Sequence, residues 1–358
     1  MTAALTSVGV QQISVTIANG ATTGTATITA VGSGAFIVWQ GQTSTDTSTA
    51  VSSQARIELT NTTTGTATRN TSSTDTVVVN AVIVDGDPTN LVKSVQSGTT
   101  TLSTAQTTNT SSISAVTNTN TAVFYLGTST ASVANWSRSQ ASVTLSGTTV
   151  TVTRGVSNGA TIVGWCVTEF QGTSLNSSTQ NVTITSTASG TTFSTTITSV
   201  TTANTMLANG GFITAQATSA AKALPRFSLA SSTAVHTDYN TAPAVTTDVA
   251  QCVVVEFVSA ILAQNVQRNT ITITAGTSNT ATITSSATTQ TLCNWLGNST
   301  TETTFDAATA QHKITQTNAT TLTESVNSSA TGTGSYETIQ FNPAGGAVTI
   351  TYISDWFG

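Results

Sequence analysis

The sequence predicts an all-β chain made of four tandem, small antiparallel β-sandwich-like units of about 85 residues. Three observations carry that expectation: a composition in which hydroxyls replace charge, a period-two alternation within short segments, and a long-range repeat. Only 9 Lys+Arg and 14 Asp+Glu occur in 358 residues, 6% charged against about 25% in an ordinary soluble domain. Thr, Ser, Asn and Gly take their place, with Val and Ile as the main apolar residues. Thr, Val and Ile are β-branched and fit a pleated, half-buried surface. With 4 Pro and 37% hydrophobic residues, the chain does not read as a disordered mucin-like tract.

The alternation is clearest in Arg56-Ile57-Glu58-Leu59, where charged residues share one face and Ile57 and Leu59 the other. In the second unit Val143 and Leu145 face inward, the chain turns at Ser146-Gly147, and Val150-Thr151-Val152-Thr153 returns as the partner of a hairpin. A further strand carries an aromatic residue and is expected to end at a glycine: Gly41, Gly127 and Gly297. Helix is expected only near Gly211 to Ala223.

The repeat rests on three landmarks. Gln12, Gln96, Gln180 and Gln267 precede β-like runs and stand 84, 84 and 87 residues apart. Mid-unit strands begin at Ala55, Ala141, Pro225 and His312, and closing strands end around Asp85, Glu169, Glu256 and Gln340. The units are bounded as residues 1–90, 91–173, 174–261 and 262–358, the last with an extra strand, Val348-Thr349-Ile350-Thr351-Tyr352-Ile353, capping an exposed edge. Linkers of equal length imply adjoining units with little swing, and fit a straight rod or a bent arch alike. The few charges are expected on outward strand positions, as at Arg56 and Glu58, or at solvated unit ends, as at Asp85, Glu169 and Glu256.

Composition excludes several function classes. A net charge of −5 with nine scattered basic residues cannot form a phosphate-binding stripe, so nucleic acid is not an expected partner. No uncharged apolar stretch reaches the 18 residues or more of a membrane span. The first residues lack the basic and apolar regions of a secretory signal, so the expectation is synthesis without export. Cys166, Cys252 and Cys293 form no CxxC pair and read as small buried hydrophobes.

No nucleophile–base arrangement appears, so no catalytic residues and no cofactor are expected. His236-Thr237-Asp238 sits on a return strand and reads as a surface histidine, and His312 has no second histidine for a metal. Asp85-Gly86-Asp87 offers two carboxylates near a turn, the start of a Ca²⁺ site, but later units lack the second acid. No metal site is expected. Trp39, Tyr125 and Trp295 recur at one position and read as core or interface plugs. Trp136 and Trp356 lack counterparts, lie near loops or the C-terminus, and are the candidate partner contacts.

The succession of a Gln before Thr-Ile-Thr-Ile, an aromatic strand meeting Gly, Ala-Arg-Ile-Glu-Leu-Thr-Asn with its Thr-Ala-Thr-Arg return, and Val-Val-Val-Glu-Phe resembles the β-repeats of tailed-bacteriophage virion structural proteins. The resemblance covers about residues 11–341 and includes no catalytic motif. Unit three departs at Pro225, and unit four lacks the Glu before Phe341. It implies a non-enzymatic head-decoration or fibre protein located in the virion, partnered by capsid or tail proteins and by copies of itself. The alternative is a receptor- or glycan-binding tail fibre or adhesin that engages a host surface glycan.

Overall fold

The structure, a computed structural model, describes residues 8–132, 135–187, 190–243 and 248–342. It is all-β, with 58% strand and 9% helix. The first copy of the repeat contains β1 (Gly9–Ile17), β2 (Thr23–Thr27), β3 (Ala35–Ser44), the one-turn helix α1 (Ala50–Ser53), β4 (Ala55–Asn61), β5 (Thr64–Arg69) and β6 (Val77–Asp85). The second contains β7 (Val92–Leu102), β8 (Thr108–Ser112), β9 (Thr121–Thr130), α2 (Trp136–Ser139), β10 (Ala141–Ser146), β11 (Thr149–Arg154) and β12 (Thr161–Phe170). The third contains β13 (Gln180–Thr185), β14 (Thr192–Thr196), β15 (Thr205–Ile213), α3 (Ala220–Ala223), β16 (Arg226–Ser231), β17 (Ala234–Asp238) and β18 (Val249–Glu256). The fourth contains β19 (Gln267–Thr282), β20 (Thr291–Thr300), α4 (Ala307–Ala310), β21 (His312–Asn318) and β22 (Thr321–Gln340) among the described residues. A one-turn helix thus stands in every copy, where sequence periodicity pointed only to the third; four residues are too few to show a 3.6-residue pattern.

Each of the first three copies folds its six strands into two antiparallel layers. The first, sixth and third strands form one, and the second, fifth and fourth form the other. Alternation sorts the side chains: Ile57 and Ala67 point into the core between the layers, while their neighbours along β4 and β5 point away. In the fourth copy β19 and β22 each run through both layers, bending at register shifts around Gly276.

The layers do not stop at the copy boundaries. The fourth strand of each copy pairs with the third strand of the next, through Arg56↔Gly127, Ser142↔Gly211 and Arg226↔Gly297. The fourth copy returns to the first through Lys313↔Gly41. The four copies therefore close into a ring, neither rod nor arch. Equal linkers had fixed the spacing of the copies but not the angle between them.

Each junction needs its glycine. Gly41, Gly127, Gly211 and Gly297 have φ between +79° and +93°, and a Cβ at any of them would lie 2.2–2.5 Å from a backbone oxygen of the preceding copy. The aromatic strand does not end at this glycine as expected. It bulges there and runs on to Ser44, Thr130, Ile213 or Thr300, and the bulge brings the neighbouring copy's backbone within pairing distance.

The glutamine landmark also has a structural cause. Gln96 clasps the backbone of Ser114, donating to its carbonyl at 3.1 Å and accepting from its N–H at 2.7 Å. Gln180 does the same at Thr198 and Gln267 at Thr284. In the first copy the clasp belongs to Gln11, on Thr29, and not to Gln12. Gln12 makes the same two-way bond to the backbone of Gln316, in the fourth copy. The C-terminal strand expected over residues 348–353 lies outside the described residues.

Candidate functional site

A point on the ring axis can be surrounded by one residue from each copy, and two sets of equivalent positions meet there. Two residues before the junction glycine stand Trp39, Tyr125, Asn209 and Trp295; just after the one-turn helix stand Gln54, Gln140, Leu224 and Gln311. Together they line an axial chamber of about 50 Å³. Trp39 and Tyr125 meet edge to face with ring centroids 5.6 Å apart. The expectation that Trp39, Tyr125 and Trp295 are interface plugs matches this placement.

Phenylalanines pack beside these sets. Phe170, Phe257 and Phe341 stand at the ends of the closing strands of three copies and meet edge to face, at 5.5 and 6.0 Å between successive centroids. The first copy has Gly86 at that position, and Phe36 fills the gap, contacting Phe124 and Phe170. The four one-turn helices form a separate apolar cluster, with Ala50, Ala220 and Ala307 around Trp136 and Phe305.

Trp136 was the candidate partner contact, and the structure corrects that reading. Its side chain is 0% exposed, lies 4.4 Å from Phe305 between ring centroids, and donates from Nε1 to Thr218 O at 3.0 Å. A partner has nothing of it to touch. An unrepeated tryptophan in a polar stretch looks like a surface residue; here it fills the space that smaller helix residues leave in the other copies. Trp356, the second candidate, lies outside the described residues.

The charges also sit differently from expectation. Glu169 and Glu256 are each 2% exposed, not solvated strand ends. Glu169 accepts from Lys93 Nζ, Ser94 Oγ and Thr117 N, and Glu256 from Asn176 Nδ2, Ser177 Oγ and Thr201 N. Burial alone would raise the Glu169 carboxyl, but these donors outweigh it and hold it at about 2. Arg69 and Arg154, at equivalent positions, are each 1% exposed and donate to backbone carbonyls. They tie loops together where a small core could not.

His312 and Glu324 are buried against each other, Nδ1 to Oε1 at 2.5 Å, and Glu337 is buried with Arg268, Asn294 and the Leu207 N–H. Burial pushes both Glu324 and Glu337 upward in pKa. Sequence reading placed His312 at a strand start but missed this pair, because Glu324 reaches it across the β21–β22 hairpin. His236 is half-buried on β17, as a strand histidine. Asp85 accepts from Gly32 N, and Asp87 caps Thr89 and Asn90. Among the described residues no three His, Cys, Asp or Glu come together as metal ligands. The three cysteines are buried thiols, and burial pushes Cys166 up to about 11 and Cys293 to about 12. Among the described residues no helix is long and apolar enough to cross a membrane.

With several charges drawn inside, the outward sheet faces are fields of hydroxyls. On the second copy Thr108, Thr110 and Ser112 pair with Thr153, Thr151 and Thr149, and the last two pair in turn with Thr144 and Ser146. The first copy sets Thr23, Thr25 and Thr27 beside Thr68, Thr66 and Thr64. The third copy breaks the field with Asp238 and His236. Comparison with protein-family models and with curated proteins finds no match for this chain.

Proposed function

We propose that this chain is a non-enzymatic structural protein of a tailed-bacteriophage virion, decorating the head or forming part of a projecting fibre, with capsid or tail proteins and further copies of itself as partners. The observation that supports this reading most is the combination of a closed ring with hydroxyl-covered outer faces. A ring whose sheets continue across every junction leaves no junction edge open to fraying. Faces solvated by Thr and Ser hold their character as ionic strength changes, because they do not depend on screened ion pairs.

The buried acids fit the same reading. Glu169, Glu256, Glu324 and Glu337 are each engaged by hydrogen bonds that hold loops or neighbouring copies in place. Electron microscopy of purified virions labelled with antibody to this chain tests the proposal, together with its copy number per particle. Labelling of the head at high copy number is the result expected for decoration, and labelling along a projection at low copy number for a fibre. Virions that lack the chain altogether would overturn both.

A further inference from the structure

Three buried polar atoms on residues lining the axial chamber have no hydrogen-bond partner among the described residues: Gln54 Nε2, Gln311 Oε1 and Trp39 Nε1. Gln54 and Gln311 are 4% and 7% exposed, so bulk water does not serve them. Buried amide groups are hydrogen-bonded in nearly all folded proteins, and an orphan of this kind calls for a guest. The chamber, at about 50 Å³, has room for roughly four waters or a molecule of a few heavy atoms.

The lining specifies the guest's chemistry. The aromatic side chains of Trp39, Tyr125 and Trp295 supply apolar wall, and the orphan atoms supply two donors and one acceptor. His312 borders the chamber, but its Nδ1 is committed to Glu324. A charged guest would lose its hydration and gain no free counter-charge, which costs several kcal/mol per ion. We infer that the axial chamber is a binding site for one small neutral molecule offering both a hydrogen-bond acceptor, for Gln54, and a donor, for Gln311. Primary amides and short polyols have that pattern. Positions 209 and 224 mark the asymmetry of the site: the third copy places Asn209 where the others place an aromatic residue, and Leu224 where they place glutamine.

The test uses the full chain with acetamide and glycerol as probes. Crystals soaked separately in each are expected to show one probe molecule in the chamber, bonded to Gln54 and Gln311. In solution, a probe at ten times its Kd should raise the apparent folding constant about 11-fold. The double variant Gln54→Leu, Gln311→Leu, which copies the natural Leu224, should lose that response. A chamber holding only waters that neither probe displaces would overturn the inference, as would a double variant that keeps the full response. Should that variant fail to fold, the wild-type crystals decide without it.

Discussion

The junction between the first and second copies and the one between the fourth and first have the same strand pairing but are held differently. The first is tethered by the chain itself and is largely apolar. Phe36 stacks on Phe124 at 5.7 Å, Trp39 meets Tyr125, and Arg56 lies over Gly164, whose Cβ position would be 3.5 Å from Arg56 Cβ. The closing junction has no linker across it and is rich in directed bonds. Gln12 pairs with the Gln316 backbone, Asn80 donates to Ile314 O and Thr315 Oγ1, and Gln40 donates to Cys293 O. A tether supplies a high effective concentration, so non-directional contact suffices. Without it, register must be fixed by hydrogen bonds.

The largest test of this difference removes the same glycine on both sides. Gly127→Val puts a β-branched side chain at φ +87° against the Ala55 carbonyl, and should cost about 3–5 kcal/mol from backbone strain and overpacking together. Gly41→Val meets the His312 carbonyl in the same way but at the untethered junction. It should open the ring locally, with hydrogen exchange accelerated in β3 and β21 ahead of global unfolding and a larger radius in small-angle scattering. If the two variants behave alike, the tether makes no difference.

A second comparison runs around all four junctions. The first outward residue of the fourth strand meets a residue of the next copy's closing strand, opposite the bulge. The pairs are Arg56 with Gly164, Ser142 with Gln251, Arg226 with Ser335 and Lys313 with Asn80. At three of the four junctions a large residue faces a smaller one, Arg56 on Gly164, Gln251 on Ser142 and Arg226 on Ser335, and two pairs bond directly: Arg226 to Ser335 at 3.3 Å and Lys313 to Asn80 at 3.4 Å. Such matching disfavours copies joining in the wrong order. Gly164→Gln should therefore destabilise by about 1–3 kcal/mol, and adding Arg56→Ser should recover most of it in a double-mutant cycle. Additive losses in chemical denaturation would mean the pair is not coupled.

Much of the fold was legible because it is local. Period-two alternation marked β4, β5, β10 and β11, and the recurrence of Gln, Gly and closing Glu-Phe marked the copies. Ring closure was not legible, since its contacts join residues more than 200 positions apart, as in the Lys313–Gly41 strand pairing and the Asn80–Ile314 bond, and no local pattern encodes them. Arg69 and Arg154 were unreadable for another reason: apart from the Thr161 hydroxyl, their hydrogen-bond partners are backbone carbonyls, which leave no letter in the sequence. The chamber glutamines could have been found, because Gln54, Gln140 and Gln311 follow their junction glycines at nearly constant spacing. They stand just after a single helical turn, outside the strands whose period-two alternation marks a residue's environment.

A smaller effect separates the two glutamines of β1. Gln12→Ala removes a two-way bond across the closing junction and should cost about 1–2 kcal/mol, seen as faster exchange at the Gln316 amide. Gln11→Ala removes the clasp within the first copy and should leave the Gln316 amide unchanged.

The smallest effect is a dependence on pH confined to the closing junction. Burial pushes the Lys313 ammonium down to about 8 from its ordinary 10.5. Below pH 8 folded and unfolded chains both carry this proton, and the folded state bears the cost of a buried cation. As pH rises through 8 the folded chain sheds the proton while the unfolded chain keeps it, so the junction gains stability. The gain is at most about tenfold in the opening constant per pH unit. The usable window closes near pH 9, where the thiols begin to oppose it: their ordinary value is 9.0, and the folded state retains their protons longer. Exchange at Gln316, corrected for intrinsic base catalysis, should slow between pH 8 and about 9, and Lys313→Met should abolish the change. The equivalent residue of the tethered junction is Arg56, which keeps its charge throughout this range. Amides of β4 and β9 beside it should show no such trend, and equal slopes at both junctions would assign the effect to the fold as a whole instead of to Lys313.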